Sequence, residues 1–195
     1  MAQDPVSVAR LVAAVFERLS LRYAIGGAVA STILGEPRAT NDVDLVAEIA
    51  VGDLPALIDA LETAGFYVPH DAARVAVGTR RSFNVVHRES VVKVDIFVAG
   101  RTALDEDELA RRRPVSIGDA PLDVLFVVAP EDLIVQKLRW YRDGGEVSDR
   151  QWRDVLGLLK VQGARLDHDL MAQGANRLAV TDLLRRAVLE SALKK

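Results

Sequence analysis

The chain has 195 residues, with 28 Asp and Glu against 25 Lys and Arg, and a formal net charge of −3 at pH 7. Half of its residues are hydrophobic, which excludes the disordered and fibrous classes and predicts one domain, with or without a helical extension. The absence of cysteine excludes a disulfide framework, a thiol nucleophile and a Cys-based zinc site, and is typical of a reducing compartment. The N-terminal segment lacks a secretory pattern, and the longest apolar run, Val124–Ala129, is far shorter than the ~20 residues of a membrane helix. We therefore expect a cytoplasmic protein with no membrane partner.

The part of the chain before Pro130 alternates between helical and strand-like patterns. Asp4 and Pro5 suit the N-cap and first turn of a helix, because the apolar residues from Val8 to Leu19 recur at helical spacing. We predict strands at Tyr23–Ile25, Val43–Ile49, Phe83–Val86, Val91–Val98 and Leu122–Val128, and helices from the Gly26-Gly27 pair to about Leu34 and at Leu54–Thr63.

The rest of the chain has helical patterns only. Pro130 and the two acidic residues after it suit a first helical turn, the glycine pair at 144–145 ends that helix, and Ser148 caps the next one. Two further amphipathic segments follow. The sequence therefore predicts an α/β (α+β) fold, with a small mixed β-sheet flanked by helices at 1–129 and a helical C-terminal subdomain at 130–195.

Acidic residues occupy strand positions that usually avoid them. Asp42 and Asp44 alternate with Val43 and Leu45, so both carboxylates point to one face of a strand. Two like charges held together need a positive group between them, and divalent cations prefer carboxylate oxygens. Asp95 has the same polar position on a later alternating strand. If the two strands are neighbours, about 4.8 Å apart, the three carboxylates surround one or two ions, as nucleotidyl transfer requires.

Each feature also has a simpler interpretation. The Gly26-Gly27 pair, between a strand and a helix, lets backbone amides approach a phosphate, or only makes a tight turn. Taken alone, Asp42 and Asp44 are equally well explained as solvated acids on an edge strand. The order of the three features, with the glycine pair first, the Asp-x-Asp strand next and the lone Asp95 last, favours a site for metal and phosphate.

These residues resemble the nucleotidyltransferase superfamily with a DNA-polymerase-β-like core, which has a Gly-Gly or Gly-Ser turn, an Asp-x-Asp strand and a third Asp on a neighbouring strand. The resemblance implies that 1–129 is the nucleotidyltransferase core. A narrower resemblance, to the nucleotidyltransferases of abortive-infection (type IV) toxin-antitoxin systems, is carried by Gly26-Gly27-Ala28, Arg38-x-Thr40-x-Asp42-x-Asp44, Val94-Asp95-Ile96, Glu131–Leu138 and Arg150–Val155.

The resemblance implies a role for each matching residue. Asp42, Asp44 and Asp95 would be the catalytic, metal-binding residues for two Mg²⁺ ions, with Mn²⁺ as a substitute. The implied nucleotide-binding residues are Gly26, Gly27, Arg38, Thr40, Lys137 and Asp154. From the residues alone, Lys137 has the alternative of snorkelling from an apolar helical stripe, and Asp154 that of an i,i+4 pair with Arg150.

The function implied is Mg²⁺-dependent transfer of a nucleoside monophosphate from an NTP such as ATP to a hydroxyl, with release of pyrophosphate. The toxin group suggests the tRNA 3′ end as acceptor and a cognate antitoxin as partner, whereas protein hydroxyls and small molecules such as aminoglycosides are alternative acceptors. The segment 74–113 has three more basic than acidic residues, which suits nucleic acid or is a solvated face. A function of another class is a catalytically inactive nucleotide- or partner-binding module with the same fold.

Overall fold

The structure, a computed structural model, describes residues 4–100, 103–117 and 124–193. Its helices are α1 (Pro5–Arg18), α2 (Gly27–Leu34), α3 (Leu54–Thr63), α4 (His70–Thr79), α5 (Ala103–Arg111), α6 (Pro130–Asp143), α7 (Asp149–Gln162), α8 (His168–Arg177) and α9 (Thr181–Leu193). Its strands are β1 (Tyr23–Ile25), β2 (Asp42–Ala47), β3 (Phe66–Tyr67), β4 (Ser82–His87), β5 (Lys93–Val98), β6 (Arg113–Ser116) and β7 (Val124–Val127). Across these described ranges, no helix is both long enough and apolar enough to span a lipid bilayer.

Two predicted helix caps are present. The Asp4 carboxylate accepts a hydrogen bond from the Ser7 backbone N–H at 3.0 Å, at the start of α1. The Ser148 hydroxyl accepts one from the Gln151 backbone N–H at 3.4 Å, at the start of α7. Each of these side chains satisfies a donor that the first helical turn leaves without a partner, which explains why the helices begin there.

The strands of the described residues form one seven-stranded mixed sheet in the order β3-β4-β5-β2-β1-β7-β6. The β2–β5 and β1–β7 pairs are parallel, and the other neighbouring pairs are antiparallel. The mixed α/β class predicted from the sequence is confirmed. Because β2 and β5 are neighbours near the middle of the sheet, residues far apart in the chain meet there.

The two faces of the central strands differ in chemistry. Val43 and Leu45 of β2 and Val94 and Ile96 of β5 are completely buried, and the apolar stripe of α1 packs against β2. Burial of side chains of this size stabilises the fold by about 1.5–3 kcal/mol each. The alternate residues of both strands are exposed or half-exposed, so the opposite face is left open for polar groups.

The chain divides into two compact units. The first, here called the sheet unit, comprises Met1–Val29 and Ala39–Val128 and contains every strand. The second, here called the helical unit, comprises Ala30–Arg38 and Ala129–Lys195 and contains α6 to α9. Four elements of the sheet unit, α4, α5, β3 and β6, were not predicted from the sequence.

Candidate active site

Three carboxylates lie on the open face of the sheet unit. The parallel register of β2 and β5 pairs Asp44 with Asp95, and Asp42 with Lys93. Paired residues of neighbouring strands project from the same face, so Asp42, Asp44 and Asp95 share one face. Asp42 is exposed, and the other two carboxylates are half-exposed. The long-range pairing therefore places on one face the three acids that the sequence predicted on two separate strands.

A lysine neutralises part of this negative charge. The Nζ atom of Lys93 lies 2.8 Å from Oδ2 of Asp95. The hydrogen bond to Asp95 raises the pKa of Lys93 above its ordinary value against the opposing effect of burial, and the charges of Asp95, Asp42 and Asp44 raise it further. A positive group at this position is thus attracted by all three carboxylates, which is the electrostatic environment that a cation needs.

The donor set suits a divalent cation. Carboxylate oxygens are the ligands that Mg²⁺ takes in sites for phosphate substrates, usually from only one or two side chains and with several waters retained. Within the part of the chain that the structure describes, no three acidic or histidine side chains are close enough together to hold one ion. The Asp95 carboxylate contacts the ammonium of Lys93 instead. The chemistry of the three carboxylates therefore fits Mg²⁺, while their side chains are not gathered around one point.

The glycine turn contacts the same acids. The backbone N–H of Gly26 donates to the carbonyl oxygen of Asp44 at 2.8 Å. Gly27, with φ of +56°, begins α2 so close to Asp44 that a Cβ atom built on Gly27 would overlap the carboxylate. Thr40 lies two residues before β2, and its hydroxyl accepts a 3.4 Å hydrogen bond from the Asp42 backbone N–H. Gly26 and Thr40 therefore hydrogen-bond to the backbone of the two acids of β2, and Gly27 lies against the Asp44 carboxylate.

A buried ion cluster lies in the helical unit. Arg38 donates to Asp154 through Nε at 2.7 Å and through Nη2 at 3.0 Å, in a two-point contact. The Nζ atom of Lys137 donates to Oδ2 of Asp154 at 2.7 Å and to Oε1 of Gln151 at 3.3 Å. The side chains of Lys137 and Asp154 are only 1% and 3% exposed. Lys137 consequently does not snorkel to solvent, and Asp154 has its ion pairs with Arg38 and Lys137 rather than with Arg150.

The charges of this cluster hold Asp154 ionised. Burial acts to raise the pKa of Asp154, but the hydrogen bonds from Arg38 and Lys137 outweigh it and keep the pKa below its ordinary value. Hydrogen bonds to a charged group favour that form, and breaking a buried ion pair leaves a charge without compensation. Asp154 therefore fixes both cations in place, and Arg38, which is 25% exposed, is the member of the cluster that reaches solvent.

The residues predicted from the sequence thus fall into two groups. The sheet unit contains Gly26, Gly27, Thr40, Asp42, Asp44 and Asp95. The helical unit contains Arg38, Lys137 and Asp154. Lys93 was not predicted as a site residue, although its position two residues before Asp95 on an alternating strand places it on the same face.

This fold and family define the chain as a nucleotidyltransferase enzyme. The chain belongs to the family described as nucleotidyl transferase of unknown function (DUF2204), which it matches over residues 7–179. The superfamily predicted from the sequence is thereby confirmed. The comparison with curated proteins finds no match.

Solved structures share the fold at low sequence identity. The antibiotic-resistance factor ANT(2'')-Ia is 16% identical over 94% of this chain and 99% of its own, with a TM-score of 0.58. An antigenic nucleotidyltransferase-like protein from Paracoccidioides brasiliensis is 18% identical over 93% of this chain and 90% of its own, with a TM-score of 0.56. The lincosamide antibiotic adenylyltransferase LnuA is 14% identical over 76% of this chain and 92% of its own, with a TM-score of 0.50. At these identities the likeness shows a common fold.

Proposed function

We propose that the protein transfers a nucleoside monophosphate from an NTP such as ATP to a hydroxyl acceptor, with Mg²⁺ held by Asp42, Asp44 and Asp95. The observation that carries this proposal is the parallel pairing of Asp44 with Asp95 on the open face of the sheet. The glycine turn supports it, because Gly27 brings the start of α2 against the Asp44 carboxylate. Mn²⁺ has the same ligand preference and is expected to replace Mg²⁺.

The reaction exchanges one phosphoester bond for another. The acceptor oxygen forms a bond to the α-phosphorus, the bond from that phosphorus to the leaving pyrophosphate breaks, and the acceptor proton passes to a base, for which Asp95 is our candidate. Bound Mg²⁺ supplies neutralisation of the phosphate charge and lowers the pKa of a coordinated hydroxyl. The chain itself holds the carboxylates in register and lets backbone N–H groups approach a phosphate at the Gly26-Gly27 turn.

The ion cluster of the helical unit, taken by itself, presents a guanidinium group that can bind an anion. The buried Asp154 carboxylate accepts two hydrogen bonds from Arg38. The Arg38 guanidinium is therefore already ordered and loses little further conformational freedom when it binds an anion. A cavity of about 530 Å³ is lined by three arginines and three acidic residues: Arg38, Arg150, Arg153, Glu36, Asp149 and Asp154. Guanidinium groups match phosphate oxygens in two-point hydrogen bonds. We therefore assign Arg38 to phosphate binding, with Lys137 and Asp154 as the residues that position it.

Two observations support different classes of hydroxyl acceptor. The resemblance to the toxin group favours the tRNA 3′ end, together with a cognate antitoxin as partner. Among the proteins of similar fold, one structure contains adenylyl-2''-tobramycin and another contains lincomycin, which supports a small-molecule hydroxyl. Protein hydroxyls are the third acceptor class that the test must include.

The test is a transfer assay with labelled NTPs, supplied one at a time with Mg²⁺ and with tRNA, total protein, an aminoglycoside or a lincosamide. We expect label in one acceptor class, and loss of labelling in Asp44→Asn and Asp95→Asn. The matched control is Asp59→Asn, which makes the same change at an exposed position of α3 and should retain full activity. Undiminished labelling in both active-site variants would contradict the proposed metal site.

The alternative of an inactive binding module has its own outcome in the same experiments. Titration of NTP with and without Mg²⁺ measures binding, and pyrophosphate release measures turnover. Mg²⁺-dependent binding without release, for every NTP and acceptor, would support the module. Release that requires Asp44 and Asp95 would support the enzyme.

A further inference from the structure

A groove lies on the same face of the sheet unit, one step along the strands from the carboxylates. On this face, the next residue after Asp44 on β2 is Val46, and the next after Asp95 on β5 is Phe97. The register pairs Val46 with Phe97. On the next strand, Ser82 pairs with Phe97. The groove has a volume of about 510 Å³, and its lining includes Val46, Arg80, Arg81, Ser82, Phe97 and Asp105. We call it the Phe97 groove.

The floor of the groove presents an aromatic ring to solvent. Phe97 is 41% exposed, although β5 lies inside the sheet between β4 and β2. The neighbouring positions on both sides, Val46 and Ser82, are small, so the ring face is accessible from above the sheet. An exposed aromatic ring of this kind is a platform on which a planar base can stack.

Arginine side chains give the groove its charge. Arg80 directly follows α4 as its C-cap, with φ of +49°, and donates through Nη1 to the Ala99 carbonyl oxygen at 2.7 Å. Its guanidinium lies against Gly100, where a Cβ atom would come within 3.0 Å of Cζ. The bond to Ala99 uses one of the five guanidinium donors. Arg81 is exposed beside it.

The balance of charge selects the kind of ligand. The lining of the groove includes two arginines, Arg80 and Arg81, and one acidic residue, Asp105. Guanidinium groups attract a phosphate and can form two-point hydrogen bonds with its oxygens, which they cannot do with the ammonium groups of an aminoglycoside. Residues two apart on a strand are separated by about 6.6 Å, a distance that one nucleoside spans. A ligand in the groove can therefore present a hydroxyl to the carboxylates.

From these observations we infer that the Phe97 groove is the acceptor site and that it binds a nucleoside phosphate. The base stacks on Phe97, the phosphate contacts Arg81 and Arg80, and a sugar hydroxyl points toward Asp95. The same chemistry is offered by a free nucleotide and by the end of an RNA strand. The assignment of the groove as an acceptor site rests on the proposed function, but its ligand binding can be measured without turnover.

The first test measures binding in the absence of NTP and metal. The probe is a 5′-fluorescently labelled short single-stranded RNA with a free 3′ hydroxyl, and the readout is fluorescence anisotropy with the full chain. Phe97→Leu should weaken binding by roughly tenfold, the loss expected for one base-aromatic stack. Arg81→Gln should weaken binding and reduce the slope of log K against log salt by about 0.7, the value for one phosphate contact on a single strand.

Matched controls come from the same unit. Arg74→Gln removes an exposed guanidinium of α4, and Tyr67→Leu removes an exposed ring of β3, both outside the groove lining. Each should bind the RNA as the unaltered chain does. Competition by AMP at concentrations near those of the RNA would identify a free nucleotide as sufficient, whereas competition only by RNA would identify the strand end.

The second test separates the groove from the proposed function. In the transfer assay, Phe97→Leu and Arg81→Gln should raise the KM for the acceptor and leave the KM for NTP unchanged. Unchanged RNA binding and acceptor KM in both variants would overturn the groove assignment even if transfer occurs. Efficient transfer to an aminoglycoside, insensitive to Arg81→Gln, would overturn it as well. Binding that depends on both residues without any turnover would support the groove as a ligand site and defeat the proposed enzyme activity.

Discussion

A Cβ atom on Gly27 would occupy the space of the Asp44 carboxylate and lie 2.9 Å from the Asp44 Cβ. The φ of +56° at Gly27 adds a cost of about 1–2 kcal/mol for any L side chain. Gly26 has neither constraint, because a Cβ atom there would make an ordinary 3.7 Å contact with Val128. The two glycines of the turn therefore have different requirements, and only Gly27 needs to be glycine.

This difference predicts opposite results for two identical substitutions. Gly27→Ala should displace the Asp44 carboxylate, abolish most Mg²⁺-dependent transfer, and lower the free energy of unfolding by about 1–3 kcal/mol. Gly26→Ala should have a transfer activity and a free energy of unfolding close to those of the unaltered chain. Urea unfolding and the transfer assay measure the two effects. Equal behaviour of the two variants would show that the contact between Gly27 and Asp44 does not constrain the site.

The sequence was most informative where local pattern decides the structure. The bounds of β1 and α3 were predicted as observed, because apolar periodicity and flanking glycines mark them clearly. β6 was missed because it contains Pro114 and is mostly exposed. It is a strand because it pairs with β7 at the edge of the sheet, where proline is tolerated.

The same limit applies to the candidate site. Alternation along β2 and β5 predicted that each set of acids shares a face, but only the sheet order makes Asp44 and Asp95 neighbours. The contact between Arg38 and Asp154 joins residues 116 positions apart. No local pattern encodes such a pairing, since it arises when the helices pack. Sequence reasoning therefore found the reactive groups and missed the partners that orient them.

Lys93 should compete with the metal ion. Its ammonium contacts Asp95 at 2.8 Å, so an ion must displace it from that carboxylate. Lys93→Gln should therefore bind Mn²⁺ more tightly, by up to about fivefold, the range expected for loss of an exposed ion pair. Isothermal titration with Mn²⁺ measures the affinity without turnover. Arg74→Gln removes a distant exposed charge and serves as the control, and weaker binding by Lys93→Gln would show that the lysine helps to hold the ion or its ligands.

The ion cluster of the helical unit should contribute strongly to stability. Asp154→Asn leaves the buried amine of Lys137 without its carboxylate, and we expect a loss of about 3–5 kcal/mol in the free energy of unfolding. Asp143→Asn is the matched control, because Asp143 forms an exposed i,i+4 pair with Arg139 that is worth at most about 1 kcal/mol. Denaturant unfolding at neutral pH measures both. A loss in Asp154→Asn no larger than that of the control would show that the cluster does not stabilise the fold.

The contribution of Asp154 should also depend on pH. Burial acts to raise the pKa of Asp154, but Arg38 and Lys137 lower it below the ordinary value in the folded state. The unfolded chain regains the ordinary pKa of about 3.9. Because the folded pKa is the lower one, the stabilisation is fully present above about pH 5, begins to decline near the unfolded pKa, and is lost as the pH falls through the folded pKa. The difference in unfolding free energy between the unaltered chain and Asp154→Asn should thus be constant from neutral pH to about pH 5 and shrink in more acidic solution. A difference that grows on acidification would mean that the carboxyl of Asp154 is protonated in the folded protein, which would remove the basis for its ion pairs with both cations.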